Sequence, residues 1–161
     1  MNVYDNIQGA VHAVCESSRL KATTAGHIYD LLCHEALDNG RIVSVGEHVE
    51  GQVFASKAYA EGGITCLILT PPFAYNGNKY HSEEKFFYNE KGEIARAYEL
   101  HVGDIYTISA AGLTGAPEKG AFIDATNTAS GSAGSTGFVG EIIEEVAYSN
   151  GAAYRILVKS L

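Results

Sequence analysis

The feature that most constrains this chain is a run of turn and strand signals over residues 36–54. Asn39-Gly40 can take the positive φ angles that a two-residue type I′ turn requires, and the alternating residues 42–45 behind it predict a strand with one buried face. Gly46 breaks this run before residues 49–53 resume a period of two. The stretch therefore predicts a strand, a turn and a second strand.

A similar strand opening recurs twice further along the chain. Val102-Gly103-Asp104 precedes the strand-like residues 105–109, and Val139-Gly140-Glu141 precedes residues 142–146. The intervals between these openings are unequal, which indicates a local motif that recurs and not a repeat array with a fixed period.

One apolar run predicts the centre of the core. Residues 64–69 form a continuous apolar segment bounded by Gly62-Gly63 and Pro71-Pro72, which is typical of a strand covered on both faces. Residues 28–37 fit either a strand or one to two helical turns, and the turn that follows favours a strand.

Further turn signals predict antiparallel connections. Gly92 supplies a left-handed residue for a hairpin over residues 86–94, and residues 149–152 predict a hairpin that pairs residues 142–146 with residues 154–158. Asn76-Gly77-Asn78 marks another turn. Because strand-helix-strand alternation is missing from the sequence, we expect an all-β fold, a compact antiparallel barrel or sandwich with little helix.

Two segments fall outside this pattern. Residues 1–26 predict an N-terminal arm, which either lies on its own domain or orders against a neighbouring chain, and residues 27–161 are expected to form a single β domain. Residues 126–137 carry neither a charge nor a large side chain, so they predict a flexible Gly/Ser-rich loop that only a contact elsewhere would order.

Composition limits the choice of partners. The chain of 161 residues has a formal net charge of -8, which argues against nucleic acid or an anionic membrane as a partner. Its three cysteines lack C-x-x-C spacing and predict reduced thiols in a cytoplasm, with Cys66 as ordinary core. A signal peptide and a membrane-spanning stretch are not expected.

The sequence carries no complete catalytic motif, so we expect neither an active site nor a cofactor. Residues 130–134 lack the first glycine of a nucleophile elbow, and residues 115–121 lack the ending of a phosphate-binding loop. His34-Glu35 begins like a zinc-protease helix but has no second imidazole one turn later. Two further sets of side chains could converge only through folding: the histidines His27, His34, His48 and His101, and the carboxylates Glu83, Glu84, Asp104 and Glu141.

Several of these segments together resemble the small decoration (cement) proteins on the heads of tailed bacteriophages. The resemblance lies in residues 37–46, in residues 102–106, in the Gly-rich loop, and in residues 138–143 with 154–159. It implies a tulip-like β domain with an arm, made in the host cytoplasm and located on the capsid exterior of the virion. It also implies binding to the major capsid protein, often as a homotrimer, with no catalysis.

For this role we expect the arm to add a strand to a capsid sheet, with the Gly/Ser-rich loop as a second contact. The interface residues expected on this basis are Val3, Tyr4, Ile7, Val11, Leu20, Gly131 and Gly134. Two alternatives stay open. One is a carbohydrate or cell-surface binding module of a phage fibre, with tyrosines beside a groove. The other is a small hydrolase whose site in the barrel mouth would use His81, His101 and Asp104.

Overall fold

The computed structural model describes residues 11–71, 87–134, 136–148 and 151–161. This part of the chain is all-β, with 52% strand and 6% helix, which confirms the predicted fold class. The helical parts are α1 (Lys21–Ala25) and a 3₁₀ turn (Ala110–Gly112). The strands are β1 (Cys15–Arg19), β2 (Ile28–Leu32), β3 (Ile42–Glu50), β4 (Val53–Ala58), β5 (Thr65–Ile68), β6 (Ile94–Glu99), β7 (Ile105–Ser109), β8 (Thr114–Gly115), β9 (Phe122–Ile123), β10 (Thr128–Ser130), β11 (Val139–Tyr148) and β12 (Gly151–Ser160).

The first half of the chain forms a small closed barrel. Its strand order is β2-β4-β3-β5-β6, and every neighbouring pair is antiparallel except β2 with β4. The strands lie within residues 28–99, so β6 leads directly from the barrel into the second half of the chain.

The second half forms a seven-stranded sheet in the order β1-β7-β12-β11-β9-β10-β8. Its longest pairing joins β11 to β12, as the sequence predicts, although the turn residues 149–150 lie outside the described residues. Strand β1 comes from the start of the chain and pairs with β7. The N-terminal region therefore belongs to the sheet that the C-terminal half builds.

Strand β5 explains how the barrel and the sheet share a core. Its four residues are all buried, as predicted for a strand covered on both faces. Cys66 and Ile68 belong to the cluster inside the barrel, whereas Leu67 belongs to a larger cluster with Ile108 and Ile156 of the sheet. Since side chains alternate along a strand, β5 fills the barrel with one face and packs on the sheet with the other.

The predicted hairpin at Asn39-Gly40 is wrong. Strand β2 pairs with β4 and β6, and β3 pairs with β4 and β5, so the segments on either side of the turn do not pair with each other. Gly40 has a positive φ of 91°, but Asn39 does not have a positive φ, which rules out type I′ geometry. Asn39 is instead buried, and its side-chain amide exchanges hydrogen bonds of 2.9 and 3.0 Å with the Thr70 backbone.

The three valine-glycine-acid tripeptides, which begin at Val45, Val102 and Val139, were predicted to open strands in the same way, but their conformations differ. Val102-Gly103-Asp104 is a turn before β7, with a φ of 97° at Gly103. Gly46 and Gly140 instead lie inside β3 and β11, next to register shifts in those strands. At both positions the glycine admits a close neighbour: an added Cβ would lie 2.9 Å from the Ala55 carbonyl oxygen at Gly46 and 2.7 Å from Ile156 at Gly140.

For the hairpin predicted over residues 86–94, the turn and the strand after it are confirmed, but the pairing across the turn is not. Gly92 forms a turn with a φ of 86°, and β6 follows it. The described residues before the turn, 87–91, do not pair with β6, because Asn89 forms a bridge to Leu37 instead. The turn expected at residues 76–78 lies outside the described residues.

The boundaries of the predicted arm and of the flexible loop need correction. Residues 13–25 are part of the fold, because β1 pairs with β7 and Ala13 and Val14 are buried. Within residues 126–137, β10 is part of the sheet. The ordering contacts come from outside the loop: Asp124 Oδ1 accepts a hydrogen bond of 2.9 Å from Thr126 N.

Candidate functional site: a sheet edge and a histidine cluster

Strand β1 lies at one edge of the seven-stranded sheet, and β7 is its single strand neighbour among the described residues. The carbonyl of Val14 accepts a hydrogen bond of 2.8 Å from the Ser109 amide, so the backbone of Val14 faces β7. Because backbone groups alternate along an antiparallel strand, Cys15 and Ser17 direct theirs away from β7. Such an edge can pair with a strand of another chain.

The chain is held to the barrel directly before this edge. His12 Nδ1 lies 2.6 Å from Asp38 Oδ1, and the Ala13 amide donates to Asp38 Oδ2 over 3.3 Å. The His12 ring also stacks on Tyr88, with 4.6 Å between the ring centroids. The N-terminal segment is therefore anchored at residue 12, directly before an edge that no other strand of the described residues covers.

The predicted interface residues fall into three groups. Val11 is 57% exposed, and Gly131 and Gly134 are exposed on the loop after β10. Leu20 is 6% exposed and packs in the cluster between the barrel and the sheet, so it cannot contact a partner while this fold is intact. Val3, Tyr4 and Ile7 lie outside the described residues.

Two of the four candidate histidines come together in the fold. His27 directly precedes β2 and His101 follows β6, and with Glu99 they place potential ligand atoms within 4.8 Å of one another. Among the described residues, this is the one group of three or more histidine, cysteine or acidic side chains so close together. His34 instead contacts Ser56 Oγ through Nδ1 at 2.6 Å, and His48 Nε2 lies 2.8 Å from the carbonyl oxygen of Gly51.

A buried carboxylate lies next to the cluster. Asp104 is 4% exposed, and its two oxygens accept hydrogen bonds from the backbone amides of Lys21, at 3.1 Å, and His101, at 2.8 Å. Asp104 Oδ2 is also 4.0 Å from Nδ1 of the His101 ring. The hydrolase alternative requires His81, His101 and Asp104 to lie close together. His101 and Asp104 do so, while His81 lies outside the described residues.

A groove with an aromatic wall borders His27. Its lining includes Tyr29, Gln52 and Phe54. The rings of Tyr29 and Phe54 meet edge to face, with centroids 6.1 Å apart, and both side chains also pack against the barrel core. The groove therefore offers partly exposed aromatic surface beside polar side chains.

The two described members of the carboxylate set, Asp104 and Glu141, have separate partners. Glu141 forms an ion pair of 3.3 Å with Lys159, while Asp104 accepts hydrogen bonds from backbone amides. Glu83 and Glu84 lie outside the described residues. Each of these two carboxylates is therefore held by its own partners in the fold.

The three cysteines are free thiols and all are buried, which confirms the core position predicted for Cys66. Burial, with a smaller contribution from nearby Glu99, raises the pKa of Cys66 to about 12, and burial likewise raises the pKa of Cys33 to about 11. A thiol with a raised pKa is a poor nucleophile at neutral pH.

Glu99 is the member of the histidine cluster that the sequence did not indicate. It is 72 residues from His27 in the chain, and only the pairing of β2 with β6 brings the two together. The cluster could have been predicted only if the pairing of β2 with β6 had been assigned correctly from the sequence.

Comparison with models of known protein families gives no match for this chain, and neither curated protein sequences nor solved structures give a significant one. Among the described residues, no helix is long and apolar enough to span a membrane.

Proposed function

We propose that this chain is a structural protein that binds the outside of a tailed-phage head, by pairing its open sheet edge with the major capsid protein. The observation that carries the proposal is the position of β1, an edge strand with an anchored segment directly before it. Main-chain pairing at such an edge supplies affinity without a deep pocket. The resemblance to decoration proteins supplies the identity of the partner.

The N-terminal segment fits this role as a second contact. Val11 is exposed next to the anchored His12, and the sequence before it carries the apolar residues Val3, Tyr4 and Ile7. If several chains associate, as the expected homotrimer would, weak contacts from each would add through avidity. The exposed loop with Gly131 and Gly134 is the further contact expected from the resemblance.

The test is co-sedimentation with expanded heads assembled from the major capsid protein of the genome that encodes this chain. Three variants separate the contacts. Ser17→Pro removes an amide from the open edge, Ser17→Ala keeps that amide, and deletion of residues 2–10 removes the segment but leaves β1 intact. We expect the proline variant and the deletion to bind at least tenfold more weakly, while the alanine variant binds normally.

Two results would overturn the proposal. One is a wild-type chain that stays in the supernatant with heads present. The other is a folded Ser17→Pro variant that sediments as well as Ser17→Ala, since this would exclude strand pairing at β1. Circular dichroism of each variant checks that the fold is retained.

One observation favours a second candidate, a carbohydrate-binding module. The groove beside His27 combines the Tyr29 and Phe54 rings with the polar Gln52, a combination that suits sugar recognition. A glycan-array screen tests this candidate, with Gln52→Ala as the variant expected to lose binding. If the wild-type chain binds no glycan on the array, the carbohydrate-binding candidate is excluded.

A further inference from the structure

We propose that His27, Glu99 and His101 form a binding site for a first-row transition-metal dication, with zinc as the expected occupant. The proposal does not depend on the shell-binding role. Two imidazoles and one carboxylate are a donor set that zinc and similar ions accept, whereas Ca²⁺ and Mg²⁺ prefer oxygen ligands throughout.

The backbone fixes two of the three ligands. In the antiparallel pair of β2 and β6, Ile28 is opposite Tyr98, and the Glu99 amide donates to the His27 carbonyl over 3.1 Å. His27 and Glu99 are therefore cross-strand neighbours at the end of the barrel. His27 Nδ1 already lies 2.8 Å from Glu99 Oε2.

The third ligand, His101, lies just after β6 in the chain. His101 is two residues beyond Glu99, and its Nε2 lies 3.9 Å from Glu99 Oε1. The His101 amide is held by Asp104 at 2.8 Å, which fixes the position of the backbone. The rings of His27 and His101 have centroids 6.4 Å apart.

The surroundings of His101 point to a metal on its other ring nitrogen. His101 Nδ1 is buried and has no hydrogen-bond partner among the described residues, although Asp104 Oδ2 is 4.0 Å away. A metal on Nε2 would place the ring proton on Nδ1, facing this carboxylate. A carboxylate behind a ligating histidine is the usual outer partner of such a ligand, because it orients the ring and raises its basicity.

The distances require only a small adjustment. Zinc bonds of about 2.0–2.1 Å in a tetrahedral site put ligand atoms about 3.3 Å apart, compared with the present limit of 4.8 Å. The His27 side chain is 57% exposed and can rotate toward the others, whereas Glu99 and His101 are 23% and 28% exposed. A water molecule would supply the fourth ligand.

Such a metal would join two parts of the fold. His27 and Glu99 belong to the barrel, while His101 lies in the connection from β6 to β7 of the sheet. A ligand that binds the folded state alone stabilises it in proportion to the logarithm of its concentration over its dissociation constant. Metal binding should therefore raise the melting temperature of the whole chain.

The experiment uses the untagged full chain after dialysis against a chelator. Zn²⁺ is titrated calorimetrically, Co²⁺ is followed through its visible absorption bands, and the melting temperature is measured with and without Zn²⁺. The variants are His27→Ala, Glu99→Gln and His101→Ala. His48→Ala is the matched control, since His48 is an exposed histidine on the same barrel outside the cluster.

We expect one zinc per wild-type chain, at least tenfold weaker binding by each ligand variant, and unchanged binding by His48→Ala. Asp104→Asn should weaken binding by about 10 to 100-fold if it acts as the outer partner. If His101→Ala fails to fold, His27→Ala decides, because that side chain is the most exposed of the three. The proposal is overturned if the wild type binds no zinc, or if folded His27→Ala binds it as tightly as the wild type.

Discussion

The barrel interior and the interface between barrel and sheet are both buried, but they are built from side chains of different sizes. Inside the barrel, Ala95, Ala97, Cys33 and Cys66 provide half of the eight buried cluster residues. The interface cluster instead centres on large groups, among them Tyr106, Ile108, Phe138 and Ile156.

The geometry of each region explains this difference. The diameter of a barrel grows with its strand number, so a closed barrel of five strands has a narrow interior that small residues suit. The interface has no such limit. There, glycines make room for the large side chains: a Cβ on Gly112 would lie 2.6 Å from Ile108 Cδ1, and one on Gly140 would lie 2.7 Å from Ile156 Cγ2. The interface should therefore be destabilised by the loss of a large side chain or by an added group at its glycines, whereas the barrel interior should be destabilised chiefly by added volume at its small residues.

The largest effect is expected from Ile108→Ala at the interface. Ile108 is fully buried, and truncation leaves a cavity that costs about 2–5 kcal/mol of unfolding free energy. Chemical denaturation measures this loss. The control is Ile94→Ala, since Ile94 is 48% exposed and should cost less than about 1 kcal/mol. Equal losses for the two variants would contradict the assignment of Ile108 to the core.

A smaller loss is expected from Ala97→Leu inside the barrel. Ala97 is fully buried, and overpacking a tight core costs about 1–3 kcal/mol. Ala147→Leu is the matched control, because Ala147 is exposed on β11. A barrel that accepts leucine at position 97 without loss would have more interior space than described.

The cysteines report on the two regions separately. Cys15 belongs to the interface cluster, whereas Cys33 and Cys66 lie in the barrel. All three should react slowly with a thiol reagent in the native state, because burial raises the pKa of each thiol. Ile108→Ala should accelerate labelling of Cys15 more than of the barrel thiols, as mass spectrometry of labelled peptides would show. Uniform acceleration would mean that both regions open together.

The smallest effect concerns the corner between β9 and β10. Desolvation acts to raise the pKa of Asp124, but hydrogen bonds from Thr126 and Thr128 outweigh it and lower the pKa below its ordinary value of 3.8. A lowered pKa in the folded state gives stability that is present above the ordinary value and lost as the pH falls through the folded value. Asp124→Asn should therefore reduce the slope of stability against pH below about pH 4. An unchanged slope would contradict the role of this carboxylate.

Strands with strong local signals could be predicted from the sequence. Residues 64–69 are apolar without a break, and β5 is buried on both faces. The pairing of β11 with β12 followed from a turn signal between two apolar runs. In both cases the local pattern and the tertiary environment agree.

Predictions from the sequence were wrong where a residue makes its contacts with a segment that is distant in the chain. Asn39-Gly40 has the composition of a hairpin turn, yet Asn39 bonds to Thr70, 31 residues away. The histidine cluster could not be predicted from the sequence for a similar reason. Its members join only through the register of β2 against β6, and no spacing in the sequence encodes that register.

The most direct test of the proposed role is a cryo-electron microscopy reconstruction of expanded heads incubated with the purified chain. We expect added density at symmetry-related sites on the outer surface, with β1 paired to a strand of the major capsid protein. Heads that remain bare, or copies docked with the edge of β1 facing solvent, would contradict it.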